Sequence, residues 1–158
     1  MNNETASEIE IRLAKYFNSR ANIIVPNISW GLMPYECDLI VLRESGWAIE
    51  VEIKVSKSDL LADKNKKHTH DSNKIRELYF AIPEKLIPHI EHIPHNAGIL
   101  VIQQRGIVHT LRQPTINESA TKFTAEERYQ LTRLGTMRIW ALKEKLLNII
   151  FETPSQRG

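Results

Sequence analysis

Residues 49–55 read IEVEIKV, and the run alternates strictly between apolar and charged side chains. In a β-strand successive side chains point to opposite faces. Glu50, Glu52 and Lys54 therefore share one face, and the aliphatic residues share the other. Two acids and a lysine on one face fit a solvent-exposed strand, but they also fit a metal-dependent active site.

Length and composition fit one globular domain. The chain has 158 residues, of which 42% are hydrophobic and 25% charged, which is enough for a substantial core. Its apolar runs are too short to span a bilayer, and the polar start MNNETASEIE does not fit a secretory signal. Cys37 is the single cysteine, so an internal disulfide cannot form. We therefore expect a cytoplasmic protein without membrane association.

The positive charges cluster behind the alternating strand. The net charge is only +2, but residues 57–76 hold six basic residues against three acids. A run of this kind is either a solvated loop or a surface that binds the phosphates of DNA. The lysines predicted to contact DNA are Lys57, Lys64, Lys66, Lys67 and Lys74.

Periodicity and turn signals predict an α/β fold with a mixed central sheet flanked by helices. The predicted elements are a helix at 3–18, strands at 21–30, 36–43 and 47–55, a short helix at 57–63, a strand ending at Pro83, a short helix at 84–92, strands at 97–103 and 107–112, and a long helix at 124–150. Pro26 marks the first strand as an edge strand.

Helix ends and domain limits follow from local signals. Thr5 or Asn3 can cap the first helix, and Thr124 with Glu127 forms a capping box for the last. Gly135 allows a division of the last helix in two. We expect residues 1–112 to form the core, and 113–158 a linker and a C-terminal helical extension packed on the same domain.

Three acids and a lysine form the main candidate site. Glu10 lies at the edge of the apolar face of the first helix, Asp38 lies on one strand of the predicted hairpin, and Glu52 and Lys54 lie on the other. Mg²⁺ prefers oxygen ligands and needs few carboxylates because it keeps several waters. A neighbouring lysine can stabilise charge that develops during phosphodiester hydrolysis. The carbonyl of Ile53 is a further candidate ligand.

These residues resemble a known pattern. Asp38, thirteen intervening residues and the triplet Glu52-Ile53-Lys54 resemble the PD-(D/E)XK nuclease core of restriction endonucleases and Holliday-junction resolvases, although Cys37 rather than proline precedes Asp38. A closer resemblance covers residues 35–103. There EIKVSKSDLLAD, LYFAIPEKL and NAGILVI resemble the MmcB-like DNA repair proteins.

The resemblance implies a restriction-endonuclease-like core and a DNA nuclease that uses Mg²⁺ or Mn²⁺ in repair or recombination. Asp38, Glu52 and the Ile53 carbonyl would bind metal, with Lys54 and Glu10 completing the catalytic set. Glu10 is preferred to Glu8 because apolar residues follow it three, four and seven positions later. Possible accessory residues are Glu50, Ser56, Ser58, Asp59 and Asp63.

Other interpretations stay open. Glu50 is expected to be a flanking acid near solvent, and Lys54 could simply pair with Glu52. His89, His92 and His95 are expected at the surface, Cys37 in the core, and four cations of the last helix could extend the DNA surface: Arg128, Arg133, Arg138 and Lys143. The alternative functions are a non-catalytic DNA-binding module and a protein-interaction domain that uses the C-terminal helix. A homodimer is also possible.

Overall fold

The computed structural model describes residues 5–28, 36–63 and 73–152. It is a mixed α/β structure with one six-stranded sheet and a long C-terminal helix. The elements in chain order are α1 (Ala6–Tyr16), β1 (Ile23–Ile28), β2 (Cys37–Leu42), β3 (Ala48–Ile53), α2 (Lys57–Asp63), β4 (Ile75–Pro83), a 3-10 helix (Glu84–His92), β5 (Gly98–Ile102), a 3-10 turn (Gln104–Gly106), β6 (Val108–Arg112) and α3 (Ala125–Glu152). The predicted order of elements is confirmed.

The strands lie side by side in their chain order. β1, β2 and β3 are antiparallel neighbours, β3, β4 and β5 are parallel, and β6 returns antiparallel to β5. The predicted edge position of the strand that holds Pro26 is confirmed. We call the end at which β3, β4 and β5 finish the carboxyl end of the sheet. Ile28 pairs with Cys37, and Ile102 pairs with Val108, so β1 also finishes there while β2 and β6 start there.

Helix α1 covers one face of the sheet. Thr5 caps it in a capping box with Glu8, which satisfies backbone N–H groups that lack a partner within the helix. Ile9 and Leu13 are fully buried against sheet residues such as Val51. The helical spacing of these apolar residues explains why α1 lies flat on the sheet.

The opposite face is covered by two groups of segments. Phe123 and Leu131, before and within α3, pack with Ile40 of β2. Leu60 of α2 packs with Phe80 of β4, next to the 3-10 helix. Segments from the second half of the chain therefore complete the core.

Helix α3 is continuous through Gly135, so the division that this glycine would allow does not occur. Gly135 instead allows a close approach to β1, because an added Cβ would lie 3.2 Å from Val25 Cγ2. The predicted capping box is confirmed: Thr124 N donates to Glu127, and Glu127 N donates to Thr124 Oγ1. None of the described helices combines the length and apolar character of a membrane span.

The apolar side chains of α3 differ in burial along the helix. Leu131 is buried, but nine large apolar side chains further along are more than half exposed: Met137, Ile139, Trp140, Leu142, Leu146, Leu147, Ile149, Ile150 and Phe151. Gly135 lies against Val25 and Arg138 donates to Asn27 O. The apolar side chains beyond Arg138 are therefore not covered by the described strands.

Candidate functional site

Strands β2 and β3 separate at the carboxyl end of the sheet. Their pairing runs from Leu42 with Ala48 to Leu39 with Val51. Just beyond the last pair, the Asp38 side chain replaces the backbone as acceptor, and Oδ2 receives the Ile53 N–H at 2.7 Å. The next residue of the chain, Lys54, donates its N–H to a carbonyl of β4. β3 therefore stays with β4 and leaves a gap beside β2.

An open pocket of about 190 Å³ lies at this gap. It is lined by Asn27, Ile28, Glu36, Cys37, Asp38, Glu52 and Arg138. The fold thus brings Asp38 and Glu52 to one pocket, as the spacing predicted. Asn27 and Glu36 were not predicted, because nothing in their local sequence marks them. Arg138 was considered only as part of a basic helix surface.

The charged face of β3 is buried. Glu50 is 0% exposed, Glu52 1% and Lys54 6%. The expectation that Glu50 lies near solvent is therefore wrong, because segments distant in sequence cover this face of the central strand. Lys54 Nζ lies 2.9 Å from Glu52 Oε2 and 5.7 Å from the centre of the Phe80 ring. A buried pair of this kind compensates charges that would otherwise be costly to remove from water.

Glu10 of α1 lies close enough to Asp38 for the two charges to interact. Burial raises the pKa of Glu10, the negative charge of Asp38 raises it further, and a hydrogen bond with Asn27 opposes both. Glu8 instead bonds to Thr5, whose backbone and side-chain hydrogen bonds lower the pKa of Glu8. Of the two candidate acids of α1, Glu10 is therefore the one near Asp38.

Cys37 lies near several carboxylates of the pocket. It is buried, as predicted. Burial raises the pKa of its thiol above the ordinary range, and the carboxylates of Glu50, Glu52 and Asp38 raise it further. A site at which several carboxylates converge suits a hard divalent cation with oxygen ligands. Asp38 and Glu52 fit such an ion, and the pocket is open enough to admit its waters.

The accessory residues after β3 form the start of α2. Asp59 Oδ2 accepts the N–H groups of Val55 and Ser56 at 3.2 and 3.0 Å. Ser56 Oγ accepts the Asp59 N–H at 3.2 Å and contacts Ser58 Oγ at 2.8 Å. Ser56 and Asp59 therefore form a reciprocal cap, which fixes the chain directly after Lys54.

Two of the five lysines predicted to contact DNA are among the described residues. Lys57 is exposed at the start of α2. Lys74 is half-buried, and its Nζ lies 2.9 Å from Glu127 Oε1. Lys64, Lys66 and Lys67 lie outside the described residues, as does the side chain of Asp63.

The three histidines do not share one environment. His95 is exposed as expected, whereas His89 and His92 of the 3-10 helix are half-buried and stack with ring centres 6.4 Å apart. With Glu91 they bring three ligand atoms within 4.8 Å of one another. His92 Nε2 already lies 3.2 Å from Glu91 Oε1, so an internal contact explains this cluster.

Fold and site together define a mixed α/β protein with a carboxylate pocket at the carboxyl end of a six-stranded sheet. No family model and no curated protein matches the chain. Among solved structures, the chain is similar to the SPO1766 protein of unknown function from Silicibacter pomeroyi. The TM-score is 0.63 and the identity 14%, over 100% of this chain and 98% of that one. At this identity the likeness shows the fold alone.

Proposed function

We propose that this protein is a metal-dependent DNA nuclease with a restriction-endonuclease-like core, acting in DNA repair or recombination. The observation that supports this best is the meeting of Asp38 and Glu52 at the gap between β2 and β3, with Lys54 Nζ 2.9 Å from Glu52. Two carboxylates that meet at an open pocket can hold a hard divalent cation, and clusters of ionisable groups in a pocket are frequent at functional sites.

Asp38 and Glu52 would hold Mg²⁺ or Mn²⁺, with the Ile53 carbonyl as a further ligand. When bound, the ion polarises a phosphodiester and lowers the pKa of a bound water. The Lys54 ammonium, held beside Glu52, stabilises negative charge that develops at the reacting phosphate. Glu10 has a raised pKa, so it retains a proton more readily than an ordinary glutamate and can exchange one with water at the site.

The direct test uses purified wild-type protein with supercoiled plasmid, single-stranded DNA and a branched junction. Each DNA is incubated with EDTA, Mg²⁺ or Mn²⁺. We expect cleavage only with the metals, and the best-cut DNA identifies the substrate. DNA binding without cleavage under any condition would contradict the proposal and favour the non-catalytic DNA-binding module.

The exposed half of α3 favours a second proposal, that the protein forms a homodimer. Ile139, Leu142, Leu146 and Ile149 are spaced by three, four and three residues, which is the spacing of a coiled-coil seam. Residues 139–152 extend about 21 Å at the rise of an α-helix. All four side chains of this seam are more than half exposed in the single chain.

We expect the partner to be a second copy of this chain, because two identical seams can pack against each other around a two-fold axis. Analytical ultracentrifugation tests it with the Leu142→Glu/Leu146→Glu variant, whose positions are exposed in the single chain. We expect wild type to sediment as a dimer, at twice the chain mass of 18.3 kDa, and the variant to sediment as a monomer of 18.3 kDa. Asn148→Glu is the control, since Asn148 lies on the opposite side of the helix from Ile139. A monomeric wild type would contradict the homodimer.

A further inference from the structure

A second pocket, of about 280 Å³, lies between α1 and the turn that joins β5 to β6. It is lined by Arg12, Lys15, Tyr16, Arg105, Gly106 and Val108. Three of these residues are cationic and none carries a carboxylate. Among the described residues, no ion pair involves Lys15 or Arg105. We call this the cationic pocket.

The local backbone explains how the cations converge. Arg105 and Gly106 both have left-handed backbone conformations, with φ of 73° and 82°. The turn is closed by hydrogen bonds between Gln103 and Ile107 and between Gly106 and Gln103. A Cβ added at Gly106 would lie 3.0 Å from Arg12 Nε. Glycine at this position therefore permits both the turn and the close approach of Arg12.

The helix that forms the other wall is tied to the sheet. Tyr16 and Thr110 of β6 form a hydroxyl–hydroxyl hydrogen bond of 2.9 Å, and Leu13 is fully buried between the cationic positions Arg12 and Lys15. These contacts fix α1, so the two cations are presented by a rigid element. A pre-ordered cationic site loses less side-chain entropy when it binds a ligand.

The chemistry of the lining selects an anion with several oxygens. A guanidinium presents donors in a planar fork that matches phosphate, and an ammonium adds a compact charge. The pocket is open to solvent, because Lys15 and Arg105 are exposed. These properties suit a phosphodiester on an extended chain better than a buried small molecule, which pockets hold largely through apolar contacts.

The cationic pocket and the carboxylate pocket lie at the same end of the sheet. Arg105 follows β5, which ends at the carboxyl end, and Asp38 and Glu52 belong to β2 and β3 at that end. Neighbouring strands are about 4.8 Å apart, so two to four strand spacings put roughly 10–19 Å between the pockets along the sheet. The carboxylate pocket is lined by Arg138 of α3 and the cationic pocket by α1, on the other face, so this is a lower limit. Phosphates follow one another every ~3.4 Å along the axis of one DNA strand, so this gap corresponds to a few nucleotides.

We propose that Arg12, Lys15 and Arg105 form a subsite that binds a backbone phosphate of the DNA substrate, a few nucleotides from the phosphate that is hydrolysed. This inference rests on the proposed nuclease function. α1 joins the two sites, because it holds Glu10 near Asp38 and presents Arg12 and Lys15 to the cationic pocket. Contacts of this kind set the position of the substrate and do not read its sequence.

The test measures DNA binding in EDTA by fluorescence anisotropy over a range of salt concentrations, so that it does not depend on cleavage. The variants are Arg105→Ala and Lys15→Ala/Arg105→Ala. Arg20→Ala is the matched control: Arg20 is exposed and lies between α1 and the start of β1, at the opposite end of the sheet. We expect the double variant to bind about tenfold more weakly, and the slope of log K against log salt to fall by about 1.

The possible outcomes separate the two proposals. If the double variant binds like Arg20→Ala, with the same salt slope, the subsite is wrong and the nuclease proposal is untouched. If the variants lose affinity as expected but wild type never cuts DNA with Mg²⁺ or Mn²⁺, the nuclease proposal is wrong. The cationic pocket would then be a DNA-phosphate site without a hydrolysed phosphate beside it. A folded wild type that cuts DNA but shows no salt-sensitive binding would also overturn the subsite.

Discussion

Asp38 Oδ2 accepts the backbone N–H of Ile53 at 2.7 Å, so a predicted metal ligand also closes the pairing of two strands. The same carboxylate lines the pocket with Glu52. Its side chain therefore has two roles, one in the fold and one in the proposed chemistry. Substitutions at this position have to be chosen so that the two roles can be separated.

Asp38→Asn and Asp38→Ala should differ in stability and agree in activity. Asn keeps an oxygen acceptor for the Ile53 N–H. Ala removes this acceptor, which should lower the free energy of unfolding by about 1–3 kcal/mol. Both remove the negative charge, so both should abolish metal-dependent cleavage. Urea unfolding and plasmid cleavage check this. An Asp38→Asn variant that cuts like wild type would exclude Asp38 as an essential ligand.

Glu52 and Lys54 should be energetically coupled. Removing one partner of a buried ion pair leaves the other charge poorly compensated, so Glu52→Ala should lower the free energy of unfolding by about 3 kcal/mol. The Glu52→Ala/Lys54→Met variant should lose less than the sum of the two single variants. Additive losses in urea unfolding would mean that the 2.9 Å contact contributes little to stability.

Glu10→Gln should stabilise the protein at neutral pH. The folded state raises the pKa of Glu10 above 4.5, through burial and the charge of Asp38. A raised carboxyl pKa means that stability falls as pH rises from 4.5 through the folded-state pKa. The neutral glutamine removes this loss, so the variant should have a higher Tm at about pH 7 and an equal Tm well below 4.5.

Glu8→Gln is the control for that experiment and should have the opposite sign. Hydrogen bonds from Thr5 lower the pKa of Glu8, so its carboxylate stabilises the fold above pH 4.5 and this contribution is lost as pH falls. Glu8→Gln should therefore lower the Tm at about pH 7. Equal effects of the two substitutions would contradict the placement of Glu10, rather than Glu8, beside Asp38.

Lys74 and Glu127 should stabilise the start of α3 as a unit. Burial would raise the pKa of Glu127, but hydrogen bonds from Thr124 and Lys74 outweigh it and lower the pKa. Glu127→Gln and Lys74→Ala should each cost about 1 kcal/mol at neutral pH, and the cost of Glu127→Gln should shrink as pH falls below 4.5. If Lys74 also contacts DNA as predicted, Lys74→Ala should weaken DNA binding more than Glu127→Gln does.

The fold was largely predictable because its signals are local. Alternation predicted β3, an apolar run predicted β5, and the capping box of Thr124 and Glu127 predicted where α3 begins. For α1 the sequence left Thr5 and Asn3 open as caps. Periodicity showed that α3 has an apolar side, but it does not show how far the sheet extends beneath it. Which turns of α3 pack on the sheet depends on the tertiary fold, which no feature of α3 encodes.

The candidate site was predictable only in its central residues. Asp38, Glu52 and Lys54 have a recognisable spacing within one hairpin. Glu50 is fully buried. Alternation predicted which face of the strand carries Glu50, but burial depends on tertiary packing that the local pattern does not contain. Asn27 and Arg138 are 111 residues apart in sequence, and both line the pocket. Arg12 and Arg105 likewise meet only through the tertiary fold.

The most direct test of the central claim is the rate of Mg²⁺-dependent DNA cleavage by Glu52→Gln, compared with Glu44→Gln and wild type. Glutamine keeps the size of the Glu52 side chain and removes its charge, while Glu44 is exposed in the turn between β2 and β3, away from the pocket. We expect Glu44→Gln to cut like wild type and folded Glu52→Gln to lose at least 100-fold in rate, on the order of the effect of removing a key charge-stabilising group. A folded Glu52→Gln variant that cuts at the wild-type rate would contradict a metal-dependent role of Glu52 in cleavage.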